Sequence, residues 1–324
     1  MHIPDGFVSN PINLAAAVVS GSAVALSAWR VSRQVRIRPH AVPLLAMTSA
    51  FVFAAQMLNF PIFVGTSGHF LGAAFVAAIL GGSSACLALS LVLFIQCLGF
   101  SDGGLSALGA NIFNMALVGG LLAYALMRLL RPLLPAGKSW YLATVGVVAW
   151  LSIVLASTAC ALELAFSGTC PLPVVLPAML GVHALIGVGE SLITVSVLSI
   201  IIASRPDLLP DWSRLTSQPQ SSLSFRRVWA FTLVGLVVVL ALAFFVSPFA
   251  SASPDGLEKV ASDQGFLSLA HSASSWTHSL LPDYSVPGLN SATFSTGLAG
   301  FLGAGSIFVL GFVLIKSLSP RSRD

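Results

Sequence analysis

The stretch MHIPDGFVSN sets a free amine on Met1 one residue from the imidazole of His2. The amine, the amide of residue 2 and Nδ1 of His2 can converge on one ion, closing a five-membered and a six-membered chelate ring. The amide joins only by losing its proton, which a strongly polarising late divalent metal can drive. A planar nitrogen set of this kind suits Ni(II) or Cu(II), and a fourth nitrogen completes the square. Met1 is expected to survive processing, because aminopeptidases that trim an initiator methionine need a small second residue. Pro4 and Gly6 turn the chain back toward the protein. Asp5 is placed to hold the amine or a histidine nitrogen from behind. The alternative is a frayed terminus that contains His2 by position alone.

Other residues compete for a chemical role. His69 ends the segment GTSGH, where Gly65 and Gly68 permit tight turns, and is the natural fourth nitrogen. Capping of the following apolar segment is its other reading. His183 and Glu190, in GVHALIGVGE, fall on one face of a helix. Ionisable residues within an apolar span are functional candidates, or else a polar pair that ties helices together. Glu163 reads as solvated near a helix end. GTSG also fits the GxSG pattern of an intramembrane serine protease, with Ser67 as nucleophile and His183 as base. That reading leaves His2 and His69 unexplained. PAGKS at 135–139 has Pro132 where a phosphate loop needs glycine, so no nucleotide is expected on this chain.

These groups must be positioned by membrane helices. The chain has 324 residues, of which 56% are hydrophobic and 8% charged, and a mean hydropathy of +0.93. A soluble domain carries about 25% charge. The expected fold is all-α, a polytopic membrane bundle of about eight or nine segments with its N-terminus outside. Segments are expected near 12–29, 41–58, 70–81, 82–98, 107–127, 141–164, 176–202, 228–247 and 293–316. The stretch 70–98 is read as two pieces broken near Gly81 to Ser84, the first short and tilted or re-entrant. On this path all of the 15 Lys and Arg residues except Lys259 face the cytoplasm. That asymmetry explains the pI of 9.1 without a nucleic-acid partner. No secretory leader is expected, since the arginines follow the first apolar run. Of the four cysteines, Cys86 and Cys97 read as packing residues, and Cys160 and Cys170 fall near the same expected face, where a disulfide is open but has no support in the sequence. Residues 1–205 form one membrane unit, 206–225 a cytoplasmic linker rich in Pro, Ser and charge, and 226–324 a second unit with two helices flanking an outside loop. Ala17, Gly21 and Ala25 recur at a spacing that allows close helix approach in lipid.

MHIPDGF, NFP…GTSGHFLG, LGANIFNMALVG and GVHALIGVGE together resemble the CbiM/NikM family over about residues 1–205. SPDGLEKVASDQGF is similar to the PDGLE segment of the small NikN/CbiN-like partner, here fused at about 226–324. The resemblance implies a substrate-binding membrane component of an energy-coupling-factor importer in a bacterial-type inner membrane. Its substrate would be Ni(II) or Co(II), with the PD of MHIPDG tilting toward nickel. It implies Met1, His2 and His69 as metal ligands, with Asp5, Asn59, Thr66, Ser67, His183 and Glu190 around them. It also implies separate partner chains, a transmembrane coupling protein and a pair of cytoplasmic ATPases. The acidic and histidine residues of the PDGLE segment (Asp255, Glu258, Asp263, His271, His278) would gather metal at the surface or dock to order the N-terminal site.

Overall fold

The computed structural model describes the whole chain except residues 38–40, 64, 210–224, 273–274 and 319–324, and describes only the backbone of 36, 37, 63, 271 and 272. The core of the linker therefore lies outside the described residues, as does the side chain of His271. Seven helical stretches are long and apolar enough to cross a membrane. Their outward faces carry Leu14, Val18, Leu26 and Trp29 on the first and Val234, Val237, Val309 and Val313 on the last two. Helices apolar on every face are what a lipid surround requires.

Helix α1 (Asn10–Ile37) is followed by α2 (Ala41–Gln56), whose 16 residues make it shorter than the seven spanning helices. A hairpin that the sequence did not announce comes next, β1 (Phe60–Phe63) against antiparallel β2 (Thr66–Gly68), with Phe60 opposite Gly68 and Pro61 opposite Ser67. Helices α3 (Ala73–Leu80) and α4 (Gly82–Phe100) then meet at Gly81, which has φ 86°. A side chain disfavours that backbone conformation, so the glycine is what breaks the run. The expected break is in place, and its first piece is one short helix of about 12 Å.

Helix α5 (Leu108–Ile112) continues through a π-helical stretch, Phe113–Leu122, into α6 (Ala123–Leu130). Helices α7 (Lys138–Phe166) and α8 (Leu172–Ser204) pack along one another, and the indole of Trp150 donates to the Ala184 carbonyl at 2.9 Å. Pro171 and the proline in the first turn of α8 cost no hydrogen bond there. Beyond residues 210–224, α9 (Phe225–Ala241) leads to a long loop, which contains α10 (Gly256–Asp263) and α11 (Ser268–Ser272), and then to α12 (Ala292–Leu318). α12 lies on α2 through glycines. A Cβ at Gly303 would strike the ring of Phe53, and one at Gly300 would sit 3.0 Å from Met57. The second unit thus shares the core of the first. All four cysteines are free and buried, so Cys160 and Cys170 form no disulfide.

Candidate metal centre

The first nine residues tuck into the protein instead of fraying, and Met1, Ile3, Phe7 and Val8 are buried. Ile3 is the anchor. Its N–H donates to Asn111 Oδ1 at 2.7 Å, and its carbonyl accepts from Asn111 Nδ2 at 3.0 Å and from the Gly104 N–H at 2.9 Å. A Cβ on Gly104 would collide with the Asp5 backbone, so glycine is what lets the two chains lie this close. Phe7 packs edge-on to Phe266 of the second unit at 5.0 Å.

This anchoring delivers the head of the chain to His69. The Met1 nitrogen lies 2.6 Å from His69 Nε2 and donates to Asp255 Oδ2 at 2.8 Å. Nδ1 of His69 faces the Phe70 carbonyl at 3.3 Å. A carbonyl only accepts, so the tautomer with the proton on Nδ1 leaves the Nε2 lone pair toward the amine. The His2 and His69 rings stack with centroids 5.2 Å apart. Nε2 of His2 is 3.2 Å from Gln96 Oε1, and its Nδ1 is 3.1 Å from Asp102 Oδ1. Donation from Nε2 to Gln96 frees Nδ1, the nitrogen that the chelate needs. Nδ1 then faces a carboxylate oxygen, and either a proton or a cation resolves that contact. Asp102 is itself held by the Tyr284 hydroxyl at 2.5 Å.

Burial, then the nearby Met1 ammonium, push both His2 and His69 down to about 3, so both rings are neutral and able to ligate. Burial alone would raise Asp255. The Met1 ammonium and His69 overcome it and hold that carboxyl below the usual carboxylate range. Burial raises Asp102, against the Tyr284 hydrogen bond. Among the described residues no three His, Cys, Asp or Glu side chains are grouped to hold a metal.

Met1, His2 and His69 come together; several of the other expected residues take different positions. Asp5 touches neither the amine nor a histidine. Its Oδ1 accepts from Ser106 N and Oγ at 2.8 and 2.6 Å, and its Oδ2 accepts from Ser275 N and Oγ at 2.8 and 2.6 Å. Asp255 has the place expected of Asp5. Ser67 donates from N to the Pro254 carbonyl at 2.9 Å and from Oγ to the Ser253 carbonyl at 2.7 Å, and has no bond to His183. The Asn59 carbonyl accepts from Ser251 N–H at 2.8 Å, and Thr66 is buried in β2. Glu190 does not pair with His183. It accepts the N–H groups of Leu71 and Gly72 at 2.6 and 2.9 Å, pinning the chain just after His69. Glu163 is buried and accepts from Asn114 at 2.7 Å, which corrects the solvated reading.

The loop that carries α10 packs over Met1. Asp255 caps α10 in a capping box with Glu258, while its other oxygen takes the Met1 amine. Lys259 pairs with Asp263 at 2.5 Å, and His278 stands edge-on to Trp276 at 5.8 Å. Of the segment's acidic residues, Asp255 reaches the centre. Asp102, Gln96 and Asn111 were not placed at the site by sequence reasoning, and Asp255 was placed there only as one of several residues of a docking segment. Asn111 and Gln96 carried a signal, since an amide inside an apolar span must find partners.

Asp5 fastens the N-terminal peptide to two separate loops. In the Asp5→Asn protein two of the four bonds face an NH2 group, and a loss of about 2 kcal/mol is expected. Burial raises the Asp5 carboxyl, but the Ser106 and Ser275 bonds lower it further, so its net shift is downward. Its stabilisation is complete above the ordinary carboxylate pKa and disappears as pH falls below it. Thermal unfolding of parent and variant at neutral and acid pH should show the gap closing in acid.

Residues 2–208 match the family model described as cobalt uptake substrate-specific transmembrane region, and residues 229–319 match the PDGLE domain. A protein of Archaeoglobus fulgidus described as a putative fused nickel transport protein NikMN is 33% identical over 98% of both chains. A probable fused nickel transport protein LarMN of Lactiplantibacillus plantarum is 30% identical over 89% of this chain and 90% of the relative. The crystal structure of a transition metal transporter superposes with a TM-score of 0.56 at 32% identity, covering 67% of this chain and all of the other.

Proposed function

Because this chain belongs to the CbiM family of cobalt-uptake substrate-specific transmembrane regions, with a PDGLE domain fused behind it, we propose that it captures Ni(II) or Co(II) for an ATP-driven energy-coupling-factor importer. The family comprises transporter components and not enzymes. The ligands are the Met1 amine, the amide of residue 2, Nδ1 of His2 and Nε2 of His69. The observation that carries this reading is the 2.6 Å separation of the Met1 nitrogen from His69 Nε2, with the His2 ring stacked alongside. Neighbouring corners of a square with metal–nitrogen bonds of about 2.0 Å lie about 2.8 Å apart. Asp5, Asn59, Thr66, Ser67 and Glu190 support the site by holding the peptide, the hairpin and the outer loop in register.

Transport needs energy from other chains. A transmembrane coupling protein and two cytoplasmic ATPases reorient this component within the lipid of the cell membrane, the inner one in a two-membrane cell, and the metal is released inside. Nickel is the favoured substrate, because the relatives that share both units are described as nickel transport proteins. Purification with the native terminus, elemental analysis and absorption spectroscopy test the reading. A yellow, diamagnetic nickel protein with about one metal per chain is the expected result for planar nitrogen ligation. A chain that takes up neither metal refutes it.

The protease alternative needs Ser67 beside His183, and the Ser67 hydroxyl is instead committed to the Ser253 carbonyl. Ser67→Ala removes one hydroxyl bond and leaves the backbone link to Pro254. Metal affinity should fall less than about tenfold, a cost of about 1 kcal/mol. Equilibrium dialysis against Ni(II) measures it. Loss of a proteolytic activity on that substitution would favour the alternative.

A further inference from the structure

One buried polar atom remains unused. His183 is 2% exposed, and its Nε2 has no hydrogen-bond partner among the described residues. Its Nδ1 lies 2.8 Å from the Met179 carbonyl. That carbonyl can only accept, so the proton sits on Nδ1 and the lone pair on Nε2. A histidine fixed this way by a backbone carbonyl is in the form that ligates metals through the other nitrogen.

The lone pair is not walled off. His183 lines a cavity of about 20 Å³ together with Met1, His69, Met115, Asp255 and Gly256. That space suits about one water molecule or one bare ion. Gly256 keeps it open, since a Cβ there would sit 2.8 Å from His183 Cε1 and 3.0 Å from Nε2. The π-helical stretch places Met115, fully buried, in the same wall. Nearby Glu190 is not a competitor, because both its oxygens are taken by backbone N–H groups.

We infer that His183 is a second metal station, taking Ni(II) or Co(II) from His69 through Nε2 as the ion moves inward from the terminal amine. The inference rests on the capture reading above. His183 lies about 16 Å along α8 from Leu172, in the wall of the cavity that Met1 and His69 also line. No three side chains of the usual ligand types are grouped here among the described residues. The station is therefore a single imidazole that passes the ion on, and it does not trap it.

The test uses the full chain with its native terminus and Ni(II) or Co(II) alone as probe. His183→Ala should capture metal with a dissociation constant within about threefold of the parent. In cells carrying the coupling protein and ATPases, the same variant should import metal at least about tenfold more slowly. His183→Cys loaded with Co(II) should show thiolate-to-cobalt charge-transfer absorption absent from the parent, whose four cysteines do not line the cavity. Parental import by His183→Ala, or a Co(II)-loaded His183→Cys without that band, leaves the cavity to water and overturns the inference. Loss of capture in a His183→Ala protein that melts at the parental temperature also overturns it, by making the residue part of the first site. A parent that binds no metal overturns the capture reading and the station together, whereas a metal-binding parent with indifferent His183 variants overturns the station alone.

Discussion

One glycine added ahead of Met1 is expected to weaken nickel binding by at least about 100-fold, or about 2.8 kcal/mol. The added residue moves the primary amine away from His69 Nε2, now 2.6 Å distant, and leaves a secondary amide in its place. That amide is a poorer ligand and must shed a proton to bind. The peptide has no slack to compensate, because Ile3 is fixed by three hydrogen bonds two residues later. His2→Ala should cost at least as much, since it removes a nitrogen and a chelate ring together. Titration with Ni(II) and isotope uptake measure both variants. Parental affinity in either one would remove the terminal amine and its neighbour from the site.

Asp255→Asn is expected to destabilise the metal-free protein by about 3 kcal/mol, the order of magnitude for breaking a buried ion pair by losing one partner. Asparagine caps a helix as well as aspartate does, so the start of α10 survives and the loss reports the contact with Met1. Asp255→Ala should lose about 1 kcal/mol more, for the cap. In nickel-loaded protein the amine is a ligand and not an ammonium, so the penalty for Asp255→Asn should shrink. Linkage then requires the variant to bind nickel more tightly than the parent, by as much as the penalty shrinks. Melting temperatures with and without nickel, for parent and both variants, give every corner of that cycle. An equal penalty in both states would show that the amine keeps its proton when metal is bound.

What the sequence made legible was local or chemical. Hydropathy located the helical segments, and Gly81 marked the break between α3 and α4. Met1, His2 and His69, which their types and order single out in the sequence, lie side by side in the fold. An anion behind the amine was also foreseen, but on Asp5. Two aspartates were equally suited by charge, and nothing in either local sequence tells which one a fold will bring to the amine. Asp255 stands 254 residues from Met1, and its contact depends on α12 packing on α2 and carrying the long loop across the site. The hairpin at 60–68 was illegible for a related reason. It is too short for an alternating pattern, and it is held from outside by the Ser251 and Pro254 backbone.

The salt link between Met1 and Asp255 joins residues 254 positions apart. During synthesis the carboxylate follows only after the helices of the first membrane unit have been made. A nascent chain halted between the two has both imidazoles and the amine, but not the loop that packs over them. Having both parts on one chain also fixes their supply at one lid per receptor. Two separate genes would need matched expression to achieve the same ratio.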